Sequence, residues 1–405
     1  MKKAIIIAGG LAAWGVCAGF GMQEVPSMPK AAREGLKTFT QTVPLEVGNY
    51  EVSFTFGGGE ATRNWVKFEG RRIALETIET AEGETKKAAF TARVKGPVAN
   101  EKHTGKDGAS LEAPFPYSLN LTVVTSSATA PAVEIKPDAN ARTIYLCGDS
   151  TVTDQQREPW GSWGQALPVF FKEGAAVANF ARSGLTTASF LAQGRLDRIC
   201  EHLAKDDVVV IQFGHNDQKN AKLAADGGYT ERLNRYVARI REKGATPVLV
   251  TPVERLRFDA KTRKQEGKTL EEYANAVKAA GAALGVAVID LNDASYRMYG
   301  ALGYDGAPKL LCTFSEAEQK RDFFGENYTG RVRSLQDKTH HSIYGAYEMA
   351  HFIAGELARQ VPQLAGTLRE GVAALDPDRP DADPGIPPTG LVDTTRPEGD
   401  TGNKE

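Results

Sequence analysis

Ser150, Asp337 and His340 have the side-chain types that nucleophilic catalysis requires, and each lies in a local context suited to that work. A serine hydroxyl is a poor nucleophile at neutral pH. It needs a base within hydrogen-bond reach, and that base needs an orienting partner. The run Asp337-Lys338-Thr339-His340 supplies both from one turn. The aspartate accepts a hydrogen bond from one imidazole nitrogen, which leaves the other in the tautomer that takes a proton from Ser150. His341 is a rival base by adjacency, but the spacing from Asp337 favours His340. Alone, a D-x-x-H run is more often a surface loop, and a Gly-Asp-Ser triplet more often an ordinary turn.

Hydrolysis of an ester also needs donors for the developing oxyanion, each worth about 2.7–4 kcal/mol. The backbone N–H of Ser150 is one. Gly184, in NFARSG, offers a second, because glycine lets a backbone approach a ligand closely. Asn216, in GHND, offers a third through its side-chain amide. Together these residues make the parts list of an acyl-transfer site. His215, beside Asn216, reads as touching substrate or bracing the site. A metal role for it is disfavoured, since no other histidine or cysteine lies at ligand spacing, so neither metal nor cofactor is expected.

These residues need a scaffold that delivers them to one edge. The apolar run 143–147 reads as a buried strand that stops abruptly at Gly148-Asp149-Ser150-Thr151. A serine there stands at the carboxyl edge of a sheet, where open α/β sheets bind ligands. Further strands are expected at 207–213, 247–251 and 286–290, with helices at 230–243, 269–284 and 344–357. Continuous apolar strands alternating with helices imply a parallel sheet covered on both faces, in a catalytic domain over 141–365. Before it, 36–137 carries period-2 alternation, as in YEVSFTF (50–56), and suggests a small antiparallel β-sandwich. That module reads either as sugar-binding or as a packing domain. A linker is expected at 128–140. The stretch 302–336 has no clear period and reads as a rim or lid.

The motifs as a set resemble the SGNH, or GDSL-like, hydrolases. GDST, Trp163-Gly164-Gln165, Gly194-Arg195-Leu196-Asp197, IQFGHNDQ (211–218), Thr251-Pro252-Val253 and Asp337-x-Thr339-His340 resemble the rhamnogalacturonan acetylesterases in particular. The resemblance covers about 141–360. It implies a flavodoxin-like three-layer α/β sandwich with a parallel sheet, preceded by a galactose-binding-like β-sandwich. It also implies Ser150 as nucleophile, His340 as base, Asp337 as its orienter, and Ser150, Gly184 and Asn216 around the oxyanion. The expected activity is removal of acetyl groups from a plant-type polysaccharide, rhamnogalacturonan or pectin. The alternatives are an esterase or thioesterase for other acyl chains and a non-catalytic carbohydrate-binding protein.

One departure bears on substrate. The family pattern G-R-S-S-R-S-F is here Gly184-Leu185-Thr186-Thr187-Ala188-Ser189-Phe190, without the two arginines. A planar guanidinium suits carboxylates, and pectic backbones carry uronic acids. Arg255 and Arg257 read either as compensating or as surface charge. Trp160 is open between a sugar-stacking platform and packing, while Trp163 reads as core.

Composition sets outer limits. Of 405 residues, 41% are hydrophobic and 25% charged, which is ordinary globular material. The net charge of −2 gives no electrostatic case for nucleic acid or an acidic membrane surface. Lys2-Lys3 followed by an apolar, small-residue run reads as a signal peptide over 1–21, implying a secreted or periplasmic protein. Past that leader remain Cys147, Cys200 and Cys312; Cys147 reads as core, and a Cys200–Cys312 bridge is left open. The Pro- and Asp-rich segment 376–405 reads as a disordered tail. Oligomeric state is not legible.

Overall fold

The computed structural model describes residues 5–7, 21–23, 35–69, 71–96, 117–155, 159–321 and 332–380. The leader, apart from Ile5–Ile7 (β1) and Gly21, and the tail beyond residue 380 lie outside these residues.

Four of the parallel strands form where the apolar runs place them, and a fifth, at Ala175–Asn179, was not expected. The parallel strands are β10 (Arg142–Gly148), β12 (Ala175–Asn179), β13 (Val208–Gln212), β14 (Thr246–Val250) and β15 (Ala287–Ile289), in the order β12-β10-β13-β14-β15. Alternation along β10 explains why both faces are covered. Ile144 and Leu146 enter one buried cluster with Val208, Val210 and the helix Ile343–Gln360. Tyr145 and Cys147 enter the other, with Val209, Ile211 and the helices Arg195–His202, Thr230–Arg241 and Glu271–Leu284. A strand with no polar face has to be sandwiched this way. The helix Glu271–Leu284 ends at Gly285 with φ +59°, a left-handed cap that glycine adopts without Cβ strain.

The amino-terminal part is antiparallel. β4 (Gly48–Gly57) pairs with β7 (Thr85–Val94) on one side and with β9 (Ala132–Pro137) on the other. A second sheet contains β3 (Lys37–Pro44), β8 (Ser118–Thr125), β5 (Thr62–Phe68) and β6 (Arg72–Thr80). The short strand Gly21–Gln23 (β2) lies at its edge against β3. Val52, Phe54, Val66, Phe68, Phe90, Leu119 and Ile135 pack between the two sheets.

Two expectations need correction. The supposed linker 128–140 carries β9, a full partner of β4. The antiparallel and parallel parts are also not separate sheets. β7 pairs in parallel with β12, Thr91 opposite Ala176 and Ala92 opposite Val177. One nine-stranded mixed sheet therefore runs from β1 through β9, β4 and β7 into the parallel strands. Two strand edges hydrogen-bond to each other, which removes both as exposed templates.

A third sheet of three strands, β11 (Trp160–Gly161), β17 (Leu335–Ser342) and β16 (Leu311–Phe314), stands apart from the central one. Part of the stretch read as a rim thus becomes β16, which braces β17; residues 322–331 lie outside the description. At the carboxyl end, Arg297 holds Asp378 with a hydrogen bond of 2.9 Å from Nε to Oδ1. Cys147, Cys200 and Cys312 are free and buried. Cys200 packs with the cluster on one face of the parallel sheet, whereas Cys312 lies under β17, its thiol on the His341 carbonyl at 3.0 Å, so the two do not bridge. Among the described residues no helix is long and apolar enough to cross a membrane.

Candidate active site

Ser150 follows β10 by two residues, at the carboxyl edge of the parallel strands. The turn is tight because Gly148 has no room for a Cβ. One built there would lie 2.4 Å from Val152 Cγ2 and 3.0 Å from the Gln212 carbonyl. Beneath the serine runs a buried polar chain. Trp163 Nε1 donates to Gln212 Oε1 (2.7 Å), Gln212 Nε2 to Thr151 Oγ1 (2.6 Å), and Thr151 Oγ1 to Asp149 Oδ1 (2.9 Å). Trp163, fully buried, is therefore core and brace at once.

His340 and Asp337 sit on β17, ahead of the helix Ile343–Gln360. Ser342 caps that helix by accepting from Gly345 N–H, and donates to the Lys309 carbonyl at 2.8 Å. The approach is close: a Cβ on Gly345 would stand 2.0 Å from the Leu310 carbonyl oxygen. So anchored, β17 brings His340 Nε2 to 2.8 Å from Ser150 Oγ and His340 Nδ1 to 2.7 Å from Asp337 Oδ2. The other oxygen, Asp337 Oδ1, accepts the backbone N–H groups of Thr339 and His340, both at 2.9 Å.

Burial pushes the Asp337 carboxyl up. The hydrogen bond and charge of His340, with the two backbone donors, outweigh that and hold it at about 2. It is thus ionised at any pH where the imidazole can act as a base. His341 is not that base. Its ring is buried, with Nε2 fixed on Tyr299 Oη at 3.0 Å, and burial together with the His340 charge drives it down to about 3.

The loop after β12 reaches the same turn, with Arg182 N–H donating to the Gly148 carbonyl at 3.2 Å. Gly184 takes φ +81°, and nothing stands within 4 Å of where its Cβ would be. The glycine is there for conformation, and it leaves open space. Asn216 Nδ2 donates to the Leu185 carbonyl at 3.1 Å, while its oxygen accepts from Lys219 Nζ at 2.7 Å. These two bonds fix the amide's orientation and leave one N–H over. Among the described residues, no protein acceptor takes the N–H of Ser150 or of Gly184.

Two buried groups lie below this edge. Among the described residues, Asp149 Oδ2 and both ring nitrogens of His215 have no hydrogen-bond partner, and Nδ1 stands 3.8 Å from that oxygen. Burial lifts the Asp149 carboxyl to about 6, against hydrogen bonds from Thr151. Burial, with Arg255 facing it, keeps the His215 imidazole well below its ordinary value and so neutral.

Of the arginines, Arg255 is half-buried and held by Thr269 Oγ1 (3.2 Å) and by the Gln218 amide oxygen, 2.7 Å from Nη1. Arg257 is a surface residue paired with Glu266 at 2.6 Å. Trp160 is partly exposed on β11, opposite Ser342 of β17. Among the described residues no group of three or more His, Cys, Asp or Glu is placed to hold a metal ion.

Sequence reasoning missed Asp149 as a buried acid and Glu254 as a hub. Glu254 accepts from the backbone N–H of Arg255, Thr269 and Leu270 and from Asn292 Nδ2. It also missed Arg71 and Arg72, whose burial no local pattern announces. Glu254 follows Thr251-Pro252-Val253 directly, which was the one signal available.

The chain is similar to several known proteins. Residues 146–310, which hold Ser150, Gly184 and Asn216, match the GDSL-like Lipase/Acylhydrolase family. Rhamnogalacturonan acetylesterase RhgT of Bacillus subtilis is 39% identical over 213 residues, covering 52% of this chain and 87% of that protein. The probable rhamnogalacturonan acetylesterase YesY of the same bacterium is 33% identical over 237 residues, 57% of this chain and 98% of that one. Among solved structures, the Bacillus subtilis protein YXIM is 24% identical, with 80% of each chain covered and a TM-score of 0.46.

Proposed function

The chain belongs to the GDSL-like lipase/acylhydrolase family, the SGNH hydrolases, as a serine esterase, and from that premise we propose that it removes acetyl groups from rhamnogalacturonan or a related pectic polysaccharide outside the cytoplasm. The observation that carries the chemistry is the unbroken line Ser150 Oγ–His340 Nε2–His340 Nδ1–Asp337 Oδ2, at 2.8 and 2.7 Å. Its two halves come from residues 190 apart in sequence.

In this reading His340 Nε2 takes the Ser150 proton as Oγ attacks the acetyl carbonyl. The carbonyl oxygen gains negative charge and is met by the N–H groups of Ser150 and Gly184 and the remaining amide N–H of Asn216. Collapse breaks the ester bond, and the sugar hydroxyl leaves with the proton from His340. Water then loses a proton to His340, attacks the acetyl-serine, and releases acetate while Ser150 recovers its proton. Asp337 stays ionised throughout and stabilises the imidazolium. No step calls for a cofactor.

Support for the carbohydrate class comes from the named relatives. In this reading Trp160, partly exposed on β11, is the candidate for stacking on a sugar ring. Arg255, with His215 behind it, supplies a guanidinium where the 185–190 loop lacks one, and guanidinium geometry suits a uronate. Export is supported by the Lys2-Lys3 and apolar leader. The test is acetate release across acetylated pectins, xylans and mannans, with long-chain acyl esters alongside. Acetate from the pectic members, abolished in Ser150→Ala, is the expected result. Preference for long acyl chains, or polysaccharide binding without acetate release, would displace the reading.

A further inference from the structure

We propose that Arg71, from the antiparallel amino-terminal part of the chain, is a positioning residue for catalysis: it ties the segment carrying Ser150 to the strand pair carrying His340. This rests on the reading of those two residues as the working pair.

Arg71 lies in the turn just before β6 of the second antiparallel sheet, yet only 1% of it is exposed. Its guanidinium leaves its own sheet and enters the catalytic half. Both hydrogens of Nη1 are used, one on the carbonyl of Gln155 and one on the carbonyl of Trp160, each at 3.0 Å. These two carbonyls, of Gln155 and Trp160, each lead to one half of the triad.

From the first, Gln155 Nε2 donates back to the carbonyl of Ser150 at 2.7 Å. From the second, Trp160 and Gly161 form β11, which pairs with β17 opposite Ser342 and His341, the residues next to His340. Gly161 allows that pairing to sit tight on the following helix: a Cβ there would lie 3.0 Å from Ala346 Cβ and from Ile343 Cα. One guanidinium therefore closes a path from Ser150 through Gln155, Arg71 and Trp160 to β17.

Its neighbour reinforces the first of these. Arg72, fully buried, grips Asp154 with both arms, Nε to Oδ1 at 2.9 Å and Nη2 to Oδ2 at 2.6 Å. Asn179 joins by donating to Asp154 Oδ1 (3.2 Å) and the Val152 carbonyl (2.7 Å). The segment 150–155 is thus held from the antiparallel part rather than only by its own sheet.

Chemistry explains why arginine is used. Two carbonyls on separate strands need a rigid, planar pair of donors, and a lysine ammonium on a flexible stem does not fix that geometry. Methionine supplies none and leaves the Trp160 carbonyl without this donor. The Gln155 carbonyl keeps Gln165 Nε2 at 3.0 Å, so the fold tolerates the change better than the site does. Ser150 and His340 must meet within a few tenths of an ångström, and a displacement of about 1 Å costs roughly 100-fold in rate.

The test compares Arg71→Met and Arg71→Lys with Val66→Ala, a core change in the same antiparallel part that touches neither carbonyl. Each is melted thermally, then assayed for kcat and KM on an aryl acetate and for the rate at which a serine-directed phosphonate labels Ser150. Arg71→Met is expected to lose about 100-fold in kcat and in labelling rate with KM little changed, and Arg71→Lys to lose less. Val66→Ala, at comparable loss of thermal stability, is expected to keep its kcat. Wild-type kcat in a folded Arg71→Met, or in Arg71→Lys and any folded substitute if Met does not fold, overturns the proposal. An equal kcat loss in Val66→Ala does so too. Ser150→Ala in the same series keeps the two readings apart, because activity surviving there would remove the triad itself, whatever Arg71 does.

Discussion

Asp337→Asn is nearly isosteric, and the structure determines how it should fail. Asp337 Oδ1 accepts two backbone N–H groups at 2.9 Å each. An asparagine must keep its only oxygen there, since turning the amide would aim its NH2 at those same donors. Its nitrogen then occupies the place of Oδ2, 2.7 Å from His340 Nδ1. A donor facing Nδ1 selects the tautomer with its proton on Nε2, and that nitrogen can no longer accept from Ser150. The loss of the productive tautomer and of the imidazolium's counter-charge is worth roughly 10³–10⁴-fold in kcat. At about 1.36 kcal/mol per decade this is about 4–5.5 kcal/mol of barrier. KM on an aryl acetate should scarcely move, because Asp337 does not meet the substrate.

The same substitution has a stability signature. The Asp337 carboxyl is held at about 2, below its ordinary 3.8, so its contribution is present above about pH 4 and is lost as pH falls through 2. The shift corresponds to roughly 2 kcal/mol, which the variant should lack at pH 7 and regain relative to wild type near pH 2. The assay is steady-state hydrolysis at pH 7–8 beside thermal melts across pH. An Asn variant within about tenfold of wild-type kcat would refute the argument from the backbone donors.

Asn216→Ala should lower kcat by about 100–1,000-fold while KM stays near wild type, read from initial rates; a change confined to KM would make Asn216 a ground-state contact instead. Asp149 shows the opposite linkage to Asp337. Its folded value of about 6 lies above 3.8, so its contribution is full below about pH 4 and is lost as pH rises through 6. Asp149→Asn should therefore gain roughly 3 kcal/mol relative to wild type between pH 4 and pH 7.5 in denaturant melts, and a pH-independent difference would contradict the burial argument. Arg255→Ala should raise KM several-fold on acetylated oligosaccharides that carry uronate and leave neutral acetylated ones unchanged; equal effects on both would assign Arg255 to structure.

Legibility in the sequence followed the range of the interactions. Strands buried on both faces, such as 143–147 and 207–213, show themselves as unbroken apolar runs, and the helix before Gly285 shows both its period and its stop. Ser150, Asp337 and His340 were readable because each sits in a short motif whose parts act on one another locally. What escaped were long-range pairings with no local mark. β9 looked like a linker because two prolines flank a short strand that only its partner β4 explains. The joining of two sheets at β7 and β12 depends on two edges meeting, and alternation within either strand does not record it. Arg71 and Arg72 drew no notice, since a buried arginine is recognisable only from acceptors more than 80 residues away. Asp149 escaped for the same reason: its isolation is a property of what surrounds it.

In the proposed mechanism Ser150 takes the acetyl group before water does. Wild-type protein mixed with an activated acetyl ester, quenched with acid within the first turnover and digested, should carry the mass of one acetyl group on the peptide containing Ser150, and Ser150→Ala should carry none. Acetate released at the wild-type rate with no label on that peptide, or a label found on His340 instead, would contradict it.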